Sequence, residues 1–151
     1  MKVKSIMQRD VAACGADDPM HVAANLMWDR DCGFVPVVER ETGRLAGAVT
    51  DRDLCMAALL SGRSHAELAV RDAMAPVVHS CHPGDDIREA HALMREKGVR
   101  RLPVVDDEER LVGVLSLSDL ALEAFGGRGE ARVRRQRDVG KSFAAVSKRR
   151  E

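Results

Sequence analysis

The sequence predicts an α+β fold in which one supersecondary unit is used twice, and three observations predict it. The first is a self-match: at an offset of 67 positions Ala23-Ala24-Asn25-Leu26-Met27 falls on Ala90-His91-Ala92-Leu93-Met94, and Phe34-Val35-Pro36-Val37-Val38 falls on Arg101-Leu102-Pro103-Val104-Val105. With one residue fewer in the loop, Gly47-Ala48-Val49-Thr50-Asp51-Arg52-Asp53-Leu54 falls on Gly113-Val114-Leu115-Ser116-Leu117-Ser118-Asp119-Leu120. The second is that in each copy a stripe of helical period precedes two short β-branched runs. The third is that turn residues separate these segments at matching places. A unit present only twice has to bury its apolar face against its duplicate.

Each copy opens with a short lead, Val3 to Met7 and Val70 to Met74. Turns follow at Gly15-Ala16-Asp17-Asp18-Pro19 and His82-Pro83-Gly84-Asp85-Asp86. Asp18 before Pro19 fits an N-cap and first helical position. Asp86 with Glu89 three residues on is a capping-box pattern. The first helix of each copy is marked by Met20, Ala23, Ala24 and Met27, and by Ile87, Ala90, His91 and Met94; Gly33 and Gly98 mark the helix ends.

Strands are expected at Phe34–Val38 and Leu102–Val105. Pro36 and Pro103 carry no N–H, so that side of each strand faces an edge or a ligand. Glu41-Thr42-Gly43-Arg44 and Asp106–Arg110 turn the chain into Leu45–Val49 and Leu111–Leu115, which completes a hairpin. Second helices are expected from about Asp51 to Leu60 and from about Leu117 to Phe125, the latter stopped by Gly126-Gly127. The organisation is then 1–62 for the first copy, 63–69 for a linker, 70–126 for the second copy and 127–151 for a basic tail, flexible or helical.

Composition narrows the function. The chain is long enough for one domain with a core that needs no metal or disulfide. Net charge is zero, but residues 1–126 hold 15 Lys/Arg against 21 Asp/Glu and residues 127–151 hold 9 against 3. A balanced charge argues against a protein that binds nucleic acid over its whole surface. Aromatics are confined to Trp28, Phe34, Phe125 and Phe143, too few for a base-stacking platform. No secretory signal or membrane-length apolar run is visible, so a cytoplasmic location is expected. Cys14, Cys32, Cys55 and Cys81 lack paired spacing. Cys14 and Cys81 hold equivalent places and read as small buried apolar residues.

The densest polar constellation lies where each copy's second strand gives way to a helix. Thr50-x-x-Asp53 and Ser116-x-x-Asp119 put a hydroxyl and a carboxylate beside the unpaired amides of a helix N-terminus, which favour an anion. The carboxylate is also placed to accept from the vicinal hydroxyls of a ribose. The same spacing is a capping box, in which the side chains serve their own helix. Arg100-Arg101 precedes the strand with Pro103 and reads either as a phosphate clamp or as a solvated pair; the first copy has Gly33-Phe34 there. His79-x-Cys81-His82 lacks a second ligand cluster, so no metal is expected. Gly126-Gly127-Arg128-Gly129 does not follow a strand and fails as a dinucleotide fingerprint. No nucleophile has a base and an orienting group beside it, so no catalytic residue and no enzymatic activity are expected.

The two copies resemble CBS motifs (cystathionine β-synthase motifs), and together they look like a tandem pair, or Bateman module. The resemblance rests on Gly47–Leu54, Gly113–Leu120 and Val99–Asp106 and spans about residues 1–125. It implies two β-α-β-β-α motifs packed by pseudo-twofold symmetry, clefts between them, and a homodimer. It further implies an adenosine-type ligand: AMP, ADP, ATP or S-adenosylmethionine. By carry-over Asp53 and Asp119 hold ribose hydroxyls, and Thr50, Ser116 and Ser118 contact ribose or phosphate. Arg100 and Arg101 match a basic pair that reaches phosphate in kinase-regulating gamma subunits. Val35, Pro36, Pro103 and the leads near Val11-Ala12 and Val77-Val78 border the adenine.

The expected function is therefore that of a sensor that binds such a ligand, without an obligatory cofactor, and signals to an unidentified protein partner. Three alternatives stand beside it: a ligand-free structural or interaction module, a nucleic-acid binder acting through the tail, and a thiol-based redox sensor. The dimer surface is expected from Leu54, Ala58 and Leu59 in one copy and Leu120, Ala124 and Phe125 in the other.

Overall fold

Among residues 1–126 and 130–148, which the computed structural model describes, the chain runs α1 (Met20–Asp29), β1 (Phe34–Val38), β2 (Leu45–Thr50), α2 (Asp51–Ser61), α3 (Ile87–Lys97), β3 (Arg101–Val105), β4 (Leu111–Ser116), α4 (Leu117–Gly126) and α5 (Glu130–Ser147). Each pair of strands forms its own two-stranded sheet, β1 with β2 and β3 with β4. β1 and β2 are antiparallel, with Phe34 opposite Thr50 and Pro36 opposite Ala48. The α+β class and the duplicated helix–strand–strand–helix order are as the sequence predicts. The expected stop at Gly127, the glycine-rich Gly127-Arg128-Gly129 and the terminal Arg149-Arg150 lie outside the described residues.

The leads are shorter than the strands the family resemblance implies. Val3–Ser5 and Val70–Asp72 are single 3₁₀ turns. After each turn one residue makes an antiparallel bridge, Gln8 with Val114 and Ala75 with Ala48. Ala75 is followed by Pro76, which has no N–H with which to extend a ladder.

The leads are also exchanged between the copies. The second-repeat unit comprises Met1–Arg9 with His79–Asp107 and the described residues from Val112 onward; the first-repeat unit comprises Asp10–Val78 with Glu108–Leu111. Each lead thus opens one copy in the sequence and packs in the unit of the other. In the second-repeat unit Val3 N and Lys4 N donate to Asp85 O and Pro83 O at 2.9 and 3.0 Å. In the first-repeat unit Val70 N and Arg71 N donate to Asp18 O and Ala16 O at 2.8 and 2.9 Å. Each lead thus stitches itself to the turn that precedes a first helix.

The two cores repeat one another residue by residue. Cys14, Met20, Ala23, Met27, Val35, Val37, Val49, Leu54 and Val70 form one; Cys81, Ile87, Ala90, Met94, Leu102, Val104, Leu115, Leu120 and Val3 occupy the equivalent places in the other. The expected helical stripes are the buried ones, apart from half-buried Ala24. Fully burying one such aliphatic side chain contributes about 1.5–3 kcal/mol.

Helix ends follow local chemistry, with two differences, both in α1. Asp86 N-caps α3 in a capping box with Glu89, and Gly98 ends it at φ 64°. Pro19, not Asp18, is the N-cap of α1; the Asp18 carboxylate instead accepts from Gly15 N at 2.8 Å and pairs with Arg40. That guanidinium holds its pKa below the usual carboxylate value. α1 ends at Arg30 and reverses through Asp31 at φ 48°, before Gly33 is reached.

The expected dimer face is split. Leu54, Leu120 and Ala124 are buried in their own units, whereas Leu59 and Phe125 are exposed. Met56, Leu60 and Leu122 are the other exposed large apolar residues of α2 and α4. The i, i+4 spacing from the core positions turns half of the proposed set inward.

α5 packs on α3 and α4. Val139 and Val146 rest against the second core, and fully buried Ser142 lies 2.8 Å from Nδ1 of His91, itself 4% exposed. Desolvation lowers the His91 pKa from 6.5; Arg95 acts the same way and Asp138 opposes. A base whose folded pKa is depressed is protonated more readily when unfolded, so stability falls as pH drops through the ordinary histidine value. Acidification from about pH 7.5 to about pH 5.5 is expected to lower the melting temperature, and His91→Gln to flatten that dependence. Equal pH slopes in circular-dichroism melts of the two proteins would count against this.

Candidate ligand site

Each second strand ends in a hydroxyl residue that caps the following helix. In the first-repeat unit Thr50 N donates to Asp53 Oδ2 at 2.9 Å and Asp53 N donates to Thr50 Oγ1 at 3.2 Å. In the second-repeat unit Ser116 N and Ser116 Oγ both donate to Asp119 Oδ2, at 2.8 and 2.6 Å, and Asp119 N donates to Ser116 Oγ at 3.1 Å. Thr50, Asp53, Ser116 and Asp119 are all half-buried, and Ser118 is exposed on the first turn of α4.

The corners are built by close approach of a lead to a strand. A Cβ on Gly113 would stand 2.8 Å from Gln8 O, and one on Gly47 would stand 2.8 Å from Ala75 O. This lets Gln8 and Val114 exchange both backbone hydrogen bonds at 2.9 Å, and Ala75 and Ala48 do the same at 2.9 and 3.1 Å. The approach brings in a residue that sequence reasoning missed. Gln8 Nε2 donates to Asp119 Oδ1 at 2.9 Å, across 111 residues of chain. Ala75 holds the equivalent place and carries no side-chain donor. Gln8 opposite Ala75 in the aligned leads is a visible polar difference, but its partner is not.

Charge also differs between the corners. Leu117 N donates to Arg100 O at 2.9 Å, which sets exposed Arg100 beside the start of α4, with half-buried Arg101 opening β3. In the first-repeat unit a Cβ on Gly33 would meet Asp51 Oδ2 at 2.6 Å, so a carboxylate covers the place that Arg100 holds in the other copy. The second corner therefore carries an arginine where the first carries a carboxylate. The structure brings Arg100, Ser116, Asp119 and Gln8 together; it brings Thr50, Asp53 and Asp51 together.

The residues expected at the adenine differ in exposure. Val35 is a core residue with no exposure, and Pro36 and Pro103 are buried. Val35 faces the core of its unit with Val37, whereas Pro36, and Pro103 between Leu102 and Val104, lie on the opposite face of their strands. The carbonyls of both prolines accept from Cys14 N and Cys81 N at 3.1 and 3.0 Å. Val77 remains 78% exposed, and Val11, Ala12 and Val78 are half-buried.

Burial pushes the Cys14 thiol to about 11 and the Cys81 thiol to about 12. Thiols held protonated in this way are poor nucleophiles. Among the described residues no group of three His, Cys, Asp or Glu is placed to hold a metal ion, and no helix is long and apolar enough to cross a membrane.

The CBS domain model matches residues 3–60 and 70–126. A CBS domain-containing protein, YhcV of Bacillus subtilis, is 36% identical over 120 residues, which is 80% of this chain and 83% of that one. The CBS domain pair of protein MJ0100, solved with 5'-methylthioadenosine and S-adenosyl-L-methionine, has a TM-score of 0.74 at 22% identity and covers 85% of this chain and 98% of its own. CBSX2, solved with AMP, has a TM-score of 0.71 at 24% identity over 82% and 96% of the two chains. At these identities the two structures establish the fold.

Proposed function

The chain belongs to the CBS-domain family, and from that premise we propose a regulatory module that binds an adenosine-type ligand and passes the change in packing to a protein partner. The observation that carries this is the pair of matched strand-to-helix corners, Thr50/Asp53 and Ser116/Asp119, each with hydroxyl, carboxylate and helix N-terminus in one place. The ligands of the MJ0100 pair and of CBSX2 are adenosine compounds, which supports AMP, ADP, ATP or S-adenosylmethionine as the class. In this reading Asp53 and Asp119 exchange part of their capping for ribose hydroxyls, Thr50, Ser116 and Ser118 contact ribose or phosphate, and Arg100 with Arg101 draws phosphate to the second corner. The module acts without catalysis, as a cytoplasmic homodimer whose contact draws on Met56, Leu59, Leu60, Leu122 and Phe125.

A second reading has a specific observation in its favour. Thr50, Asp53, Ser116 and Asp119 are all engaged with their own helix ends, which is what a ligand-free interaction module would need of them. Calorimetric titration with AMP, ATP and S-adenosylmethionine separates the two, and Asp119→Ala sharpens the result. Loss of a cap costs about 1 kcal/mol of stability. Loss of a charged acceptor costs about 1.5–3 kcal/mol in binding, or roughly 10- to 150-fold. Full affinity in Asp119→Ala, with only the capping loss, would sink the ribose assignment.

A further inference from the structure

We propose that the seam between α3 and α5 is a binding site for a small phosphoryl anion, separate from the strand-to-helix corners. A cavity of about 200 Å³ opens there, lined by Arg88, Arg134, Arg135, His91, Asp86 and Asp138, together with Ile87 and with Met1, whose ammonium lies 3.6 Å from Asp86 Oδ2. Pockets that take a whole drug-sized molecule run to about 300–1,000 Å³. This one has room for a phosphate or diphosphate group.

The lining has a surplus of donors. Each guanidinium offers five N–H groups in a planar fork and accepts nothing. Arg88 spends its Nε on Asp86 Oδ1 at 2.9 Å. Asp86 is the main cause of a raised Arg88 pKa, and Asp138 across the cavity adds to it. Asp86 is already committed to Arg88 N, at 3.0 Å, and to Arg88 Nε. Among the described residues nothing accepts from buried Nε of Arg135. A buried donor left without an acceptor is costly, and an anion oxygen is the acceptor that removes the cost and is bound most strongly by a guanidinium. Three guanidiniums face two carboxylates in this lining, so an anion is favoured over a cation. His91 adds no charge while it stays neutral.

The site spans two helices that meet only by tertiary packing. An anion held by Arg88 on α3 and Arg135 on α5 therefore ties α5 to its unit, and saturation stabilises the docked helix by mass action. Arg137, two residues from Arg135, is turned by about 200° on the helix and is exposed; it serves as a control for diffuse electrostatics.

The test is titration of the full chain with inorganic phosphate, pyrophosphate and ATP at matched ionic strength, read by calorimetry and by hydrogen exchange of α5. Expected are saturable binding of pyrophosphate, a loss of at least tenfold in Arg135→Gln and in Arg88→Gln, no change in Arg137→Gln, and slower exchange in α5 when the anion is bound. Phosphate and pyrophosphate binding without ATP binding assigns the site to the free anion; equal ATP binding that survives Asp119→Ala assigns it to the phosphates of a nucleotide. Absence of saturable binding, an equal loss in Arg137→Gln, or unchanged affinity in Arg135→Gln and Arg88→Gln would overturn the proposal. Neither Arg88 nor Arg135 belongs to a strand-to-helix corner, so failure here leaves the ribose assignment standing, and the converse also holds.

Discussion

Met94→Ala is expected to destabilise the second-repeat unit by about 2–5 kcal/mol. Met94 has no exposed surface and lies at the end of the α3 stripe, in the core that also holds Val3, Leu102 and Leu115. Truncation removes the transfer contribution of its side chain and leaves a cavity that elements tied by hydrogen bonds cannot collapse to fill. A stability of about 5–15 kcal/mol is usual for a whole domain, so the loss is a large share of it. Met27, the counterpart in the first-repeat unit, is 6% exposed, and the same change there should fall nearer the lower end of the range. Met94→Leu, which nearly conserves volume, is expected to cost less than about 1.5 kcal/mol. Chemical denaturation followed by circular dichroism gives the magnitude, and hydrogen exchange gives the place. A loss below about 1 kcal/mol for Met94→Ala would mean that this core is far more adaptable than its burial indicates.

Gly113→Val is the second large effect. The added Cβ meets Gln8 O at 2.8 Å and Met7 Sδ at 3.0 Å. A methionine side chain can rotate away, but a backbone carbonyl held in a reciprocal pair of hydrogen bonds with Val114 cannot. Overpacking of this kind costs about 1–3 kcal/mol, with the loss of two backbone hydrogen bonds adding about 0.5–1.5 kcal/mol each. The lead is the weaker partner, so the expected result is release of residues 1–8 together with the bond from Gln8 to Asp119. Limited proteolysis should then cut the lead of the variant and spare that of the parent. A Cβ on Gly84 would have nothing within 4 Å, and Gly84→Ala is expected to be close to neutral. Equal resistance of Gly113→Val and parent to cleavage in residues 1–8 would show that the lead yields without detaching.

The amino-acid sequence by itself determined what depends on neighbours within a few residues. The period of Ile87, Ala90, His91 and Met94 marked α3, and Asp86 with Glu89 marked its start, because a helix is written at spacings of three and four. The self-match exposed the duplication, and with it the paired corners at Thr50 and Ser116. At Asp18 the same local chemistry had two outlets: its carboxylate turned back to Gly15 and Arg40, and α1 began directly after Pro19.

Only the tertiary structure decided which lead joins which copy. Val3 and Val70 are followed by similar residues and meet similar turns, so either lead fits either copy by pattern alone; the exchange is settled by contacts between residues such as Val3 and Asp85. The docking of α5 rests on Ser142 reaching His91 from 51 residues away, and Gln8 reaches Asp119 from 111. Val35 turned into the core for the same reason: a short β-branched run carries no record of which face its sheet will bury. Periodicity reports the forces between residues that are near in sequence, whereas burial, charge pairing and polar satisfaction depend on what the folded chain brings near in space.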